Sequence, residues 1–419
     1  MRMKKKLWNK DFLLMLQGNA VSALGDVLYS VAVGYWVFEK TGSSTLMGVM
    51  SSISMFVVMF LSPFSGTVID KCNRKGVIVG MDIVRGAIML GIGALAFSDR
   101  LSVPVVLLAA FLASLCSVFF SPAVSTLMLD IIPHDDMVRG QSVHSGISSL
   151  VSLVGKAVSG ALVAFLGVPL IILLNGVSYL ISAATEAFIR VPRTRQQGSK
   201  VTPRSLLKDM KTAILEIFAN RYMKLFIPCA LILNLLCAGS GALMLPFVLE
   251  KGFTVEMYGY LMSVETAASL VCVALLGVIK LKPRARYFAL AGGFLSSMPF
   301  FILAYLTHSY WILCAMTFLG SFANTMGNMV FNASMMLALP EENRGAILGF
   351  ISAATVGGCA LSSILFGALC DLFPIDLVFV GGGLLALLPM IYLCVHPATR
   401  EFVTSHSEES SAPPVETAG

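Results

Sequence analysis

"VPVVLLAAFLASLCSVFFSPAVSTLMLD" occupies residues 103–130, and its first charge is the terminal Asp130. An α-helix rises about 1.5 Å per residue, so about 20 mainly apolar residues cross a hydrocarbon core of about 30 Å. This run is long enough to span, and its Pro122 is no objection, because membrane helices tolerate internal proline and glycine.

Eleven further runs of this kind surround it. The twelve fall at 11–37, 44–69, 76–97, 103–130, 140–165, 168–189, 224–249, 257–279, 287–306, 310–338, 345–369 and 375–396. The composition agrees: 57% of residues are hydrophobic, 12% are charged and the mean hydropathy is +0.85. A soluble domain carries about 25% charged residues, so the chain reads as an all-α, multi-pass membrane protein.

The bases orient it. Of 29 Lys and Arg, 24 fall in alternate links and tails: 1–10, 70–75, 131–139, 190–224, 280–286, 339–344 and Arg400. Lys40, Arg100 and Lys251 lie on the other side, and Arg85 and Lys156 lie within helices. The positive-inside rule places both termini in the cytoplasm. The net charge of +6 sits in short loops, so it gives no support to nucleic-acid binding. Nine scattered cysteines without a CxxC pair give none to disulfides or zinc. Neither a metal nor a cofactor is expected.

The longest link divides the helices six and six. Residues 1–190 read as an N-terminal bundle and 191–223 as a cytoplasmic linker with a surface amphipathic helix. Residues 224–397 read as a C-terminal bundle and 398–419 as a disordered cytoplasmic tail. The halves echo one another: "IIPHDDMVRGQ" and "ALPEENRGAI" each set Pro and two acids before an Arg-Gly pair, Arg139-Gly140 and Arg344-Gly345.

Between the second and third runs stands "GTVIDKCNRKG". It resembles the loop signature of the major facilitator superfamily, Gly-x-x-x-Asp-x-x-x-Arg-Lys, through Gly66, Asp70, Arg74 and Lys75. Glycine permits close packing, the acid suits a helix N-terminus, and the bases suit an anionic membrane face. The resemblance implies two six-helix halves and an Asp70 that faces the start of the eleventh helix near Gly345, locking one transport conformation. The matching loop of the second half, "GVIKLKPRAR", keeps Gly277 and the bases but has no acid. A one-sided latch is therefore expected.

"SALGDVLYSVAVGYWVFEKTGSS", "MDIVRG" and the stretch from Pro122 through "IIPHDDMVRGQSVHSGISSL" are similar to the macrolide-efflux-like branch of bacterial facilitators. That likeness covers about the first 200 residues well. It implies proton-coupled export of amphipathic small molecules across a bacterial cytoplasmic membrane by a monomer. Siderophore export, lysolipid flipping, import and a non-transporting sensor or scaffold remain open. No GxxxxGK[ST], HExxH or GxSxG sequence supports ATP drive or an enzyme. In the fifth run, Gly146, Gly155 and Gly160 keep the spacing of an exporter motif, but Lys156 stands where that motif has proline.

Charges inside apolar runs are costly and point to function. Counted from the cytoplasmic ends, Asp26, Lys156 and Glu265 lie within one helical turn of each other in height. A proton-coupling cluster of these three is expected, with Lys156 paired to one of the acids. A hydrogen-bonded structural acid is the competing reading for Asp26, and a structural tie the competing one for Lys156. Asp82 and Arg85, three apart, share a face and are expected to support the loop motif together with Arg139 and Arg344. Glu186 is expected to reach the headgroups. Asn19, Tyr29, Asn234, Asn324 and Asn328 are candidates for the substrate cavity, with helix-to-helix hydrogen bonds as the alternative.

Overall fold

A computed structural model describes residues 7–69, 72–133, 136–190, 223–279, 283–338 and 344–405. Backbone groups in a bilayer must be satisfied within the chain, and helices do this segment by segment. Long helices follow one another: α1 Lys10–Thr41, α2 Ser44–Ile69, α3 Arg74–Phe97, α4 Val103–Ile131, α5 Met137–Leu166 and α6 Val168–Glu186. After the linker come α7 Met223–Ala242, α8 Met244–Glu250, α9 Val255–Val278, α10 Pro283–Leu306, α11 Tyr310–Ala338, α12 Arg344–Leu372, α13 Ile375–Val395 and α14 Pro397–Ser405.

Eleven of these are long and apolar enough to cross a membrane. The expected run 310–338 is the helix α11, but Asn324, Asn328 and Asn332 lower its hydropathy and keep it out of the eleven. The expected run 224–249 is divided between α7 and α8 at Leu243. Its cause is local: Gly239 and Gly241 weaken the helix, and Pro246 has no N–H to return to Ala242. The tail expected to be disordered from 398 begins instead with α14; residues 406–419 and the linker lie outside the described residues.

Sharp caps set the ends of α1. The Asn9 side chain accepts the Phe12 N–H at 2.9 Å, and its amide donates to the Ile131 carbonyl of α4 at 2.9 Å. At the other end Gly42, with φ of 60°, returns its N–H to Phe38 at 2.8 Å and turns the chain into α2.

The chain divides into two compact units. The first holds residues 1–206 together with 239–263 and 359–372, so α8, the start of α9 and the end of α12 pack with α1–α6. Bare backbone makes this possible. A Cβ on Gly48 of α2 would strike the Ser363 carbonyl of α12, and one on Gly160 of α5 would strike Val255 of α9. The Ser52 hydroxyl donates across the first of these contacts to the Ala360 carbonyl at 2.7 Å. The core of this unit gathers Phe12, Met15, Ile69, Ile78, Leu127 and Met128.

The second unit holds residues 207–238, 264–358 and 373–419. Its core is aromatic, with Phe226 and Phe294 each set edge-on to Phe331, at 5.5 and 6.4 Å between ring centroids. Large apolar side chains such as Phe165 and Phe288 stand exposed on the spanning helices, as a lipid-facing surface requires.

Candidate functional site

The polar core of the first unit lies where α1, α3 and α6 meet. Along α6, Asn175, Tyr179, Ser182 and Glu186 recur at intervals of four, three and four residues and so share one face. Gly18, Ser22 and Gly25 repeat the same interval along α1. The two stripes face each other. A Cβ at Gly25 would collide with the Asn175 side chain, and one at Gly18 would stand 2.8 Å from Glu186 Oε1 and 2.9 Å from Ser182 Oγ. Glycine on α1 thus leaves room for polar groups on α6.

Asp26 is seated in this space. The Tyr179 hydroxyl donates to its carboxylate, Asn175 lies alongside, and Arg85 is near enough to interact electrostatically. The Arg85 guanidinium carbon lies over two rings, 4.2 Å from the centroid of Phe120 and 5.0 Å from that of Tyr179. The guanidinium lies 3.5 Å from Asp82 one turn back on α3. Asp82 and Glu186 are fully buried, at 0% exposure, and face each other across Ser182. Glu186 therefore turns inward to Asp82 and Ser182 instead of reaching headgroups. The buried Tyr29 hydroxyl, one turn beyond Asp26, has no hydrogen-bond partner among the described residues.

Three acids and one guanidinium thus share a buried site reached from four helices. Tyr179, Asn175, Ser182 and Glu186 were not expected there. Their period along α6 carries the signal.

Lys156 on α5 is half-buried in the first unit, where its carbonyl comes within 2.7 Å of a Cβ placed on Gly259 of α9. Glu265, also half-buried, belongs to the second unit. Arg74 of the loop motif pairs with Asp130 of α4 at 2.5 Å and donates to the Thr126 carbonyl at 3.1 Å. Arg139 is exposed. Gly66 falls in α2, while Asp70 and the Arg344 side chain lie outside what the structure describes. Lys75 opens α3 in a half-buried position.

Asn234, Asn324 and Asn328 come together in the second unit. They line a cavity of about 240 Å³ with Cys237, Phe294 and Phe331. The Asn328 amide donates to the Asn324 side chain and carbonyl, both at 2.9 Å. Among the described residues the lining has no charged side chain.

Long apolar helices around a buried ionisable site, with a neutral amide-lined cavity elsewhere in the chain, define a multi-pass helical membrane protein. The chain belongs to the Major Facilitator Superfamily, whose sequence model matches residues 15–306 and 242–416. Proteins of this family carry small molecules across membranes. Macrolide efflux protein A of Streptococcus pyogenes is 22% identical over 51% of this chain and 53% of that protein. A putative bacilysin exporter of Bacillus amyloliquefaciens is 28% identical over 53% and 54%. The chain thus spans about half the length of these relatives. The fold is also that of a bacterial homologue of the human lysosomal transporter Spinster, crystallised in an inward-facing and unoccupied conformation. That likeness has a TM-score of 0.70 at 14% identity and covers 97% of this chain and 99% of the other.

Proposed function

We propose that this protein is a secondary active exporter that moves amphipathic small molecules out of the cell in exchange for protons, with Asp26 as the proton carrier. The observation that carries this reading is the seat of Asp26: a carboxylate in a spanning helix, held by the Tyr179 hydroxyl and facing Arg85. A proton on Asp26 removes the negative charge that Arg85 and Tyr179 both face. That loosens the tie between α1, α3 and α6, so proton uptake changes helix packing. Each proton moved down the potential yields about 2.3 kcal/mol per 100 mV, enough to drive accumulation.

Export as the direction is supported by the efflux and exporter names of the relatives. An uncharged, partly aromatic cargo is supported by the cavity of amides and phenylalanine rings in the second unit. With both termini in the cytoplasm, as the bases favour, Glu186 and α14 stand at the inner face.

The test is expression in an efflux-deficient bacterium, with growth measured against macrolides, dyes, siderophores and detergents. Protection by the wild type, lost in Asp26→Asn at equal protein level, is the expected result. A compound exported equally well by Asp26→Asn, with unchanged proton flux in membrane vesicles, removes Asp26 as carrier. Protection against siderophores alone moves the chain to siderophore export.

A further inference from the structure

Asp26 does not account for the other two acids of the buried site. Asp82 and Glu186 are fully buried, and none of their four carboxylate oxygens has a hydrogen bond of full geometry among the described residues, although each carboxyl lies near the other and near Ser182. Ser182, also at 0% exposure, points its hydroxyl into the same space, toward both acids. Glu186 Oε1 and Ser182 Oγ converge on the bare backbone of Gly18, where any Cβ would stand within 3 Å of both. A buried acceptor without a donor is costly, and two facing carboxylates repel. A group that donates to both is called for.

We infer that Asp82 and Glu186 form a second proton-binding site, in which one carboxyl is protonated and donates its O–H to the other while Ser182 completes the shell. This inference rests on the proton-driven reading above but concerns different carboxyls.

The charge balance points the same way. The ionisable groups that face this space are Asp26 and Tyr29 on α1, Asp82 and Arg85 on α3, Cys116 on α4, and Tyr179 and Glu186 on α6. Arg85 supplies a single positive charge against three carboxyls. It lies 3.5 Å from Asp82, beside the rings of Phe120 and Tyr179. A neutral site therefore needs two protons: one on Asp26 and one shared by Asp82 and Glu186. A resident metal fits less well, because no group of three metal-ligating His, Cys, Asp or Glu occurs among the described residues. The position also suits relay. Tyr179 and Glu186 are seven residues apart, so the second site lies about 10 Å along α6 from the first, at the end of that helix.

The experiment is infrared titration of the full chain purified into lipid, which reads protonated carboxyls directly by their C=O stretch. The wild type should show two buried carboxylic bands that disappear as pH is raised. Asp26→Asn should remove one, and Glu186→Gln or Asp82→Asn the other. Should both of those variants fail to fold, Ser182→Ala keeps every acid and should shift only the band that Asp26→Asn leaves in place.

A single wild-type band lost in Asp26→Asn overturns the second site and leaves the Asp26 reading standing. Two bands untouched by Asp26→Asn, one of them lost in Glu186→Gln, do the reverse. Bands unmoved by every Glu186, Asp82 and Ser182 variant overturn the inference. So does loss of the second band when sodium chloride replaces choline chloride at constant pH, which makes the pair a sodium site.

Discussion

The Asp371 carboxylate, at the end of α12, accepts the backbone N–H of Ser44 at 2.7 Å, in the first turn of α2. It also takes the Ser43 hydroxyl at 2.9 Å and the Thr45 N–H at 3.2 Å. A residue more than 300 positions away thus caps a helix start, where unpaired N–H groups and the helix dipole favour an anion.

Removing this cap in Asp371→Ala should cost about 1–2 kcal/mol, the usual value of a lost N-cap. Asp371→Asn, which keeps an acceptor, should lose less. The check is thermal unfolding in detergent, joined to the maleimide labelling rate of the neighbouring Cys370, which is half-buried. In terms of populations, labelling should quicken about 5- to 30-fold in the alanine variant. Equal labelling in wild type and variant would show that the cap holds nothing together.

This cap also marks what could be read beforehand. The helices were legible because a bilayer demands long apolar runs, and the expected ends fall close to the observed ones. The acid that caps α2 was not. Asp371 belongs to no loop motif and stands at a helix end. The polar site divided in the same way. Asp26, Asp82 and Arg85 announced themselves as charges in apolar runs. Height along a helix grouped Asp26 with Lys156 and Glu265, but height says nothing about which way a side chain turns. The rotational phase of Asn175, Tyr179, Ser182 and Glu186 was present in the sequence and decides the partners of Asp26.

The bare backbone of α1 against α6 makes a second expectation. Gly25→Ala pushes a methyl group into Asn175 and Ser178, and Gly18→Ala pushes one into Glu186 and Ser182. Overpacking of this kind costs about 1–3 kcal/mol. Gly91→Ala on α3 is the control, since nothing lies within 4 Å of its Cβ position. It should be neutral or stabilising by up to about 1 kcal/mol, the helix propensity of alanine over glycine. Unfolding midpoints of the three variants in one detergent decide the matter. A Gly25→Ala midpoint level with Gly91→Ala would mean that α1 and α6 part easily.

The Arg74–Asp130 pair ties the base of the loop motif to the end of α4, with 11% and 13% of the two side chains exposed. At such burial the loss of either charge leaves the other short of an ion partner, at a desolvation cost. Arg74→Gln should therefore destabilise by about 3 kcal/mol, the low end for breaking a buried pair, and Asp130→Asn by a similar amount. The double variant leaves no orphan charge, so its loss should fall short of the sum by about 0.5–3 kcal/mol. Arg74 also donates to the Thr126 carbonyl at 3.1 Å, and that bond is lost in both Arg74 variants, which makes Arg74→Gln the costlier single change. A thermal or denaturant double-mutant cycle gives the coupling. Strict additivity would make the pair a surface contact and free Arg74 for the membrane face that the loop signature suggested.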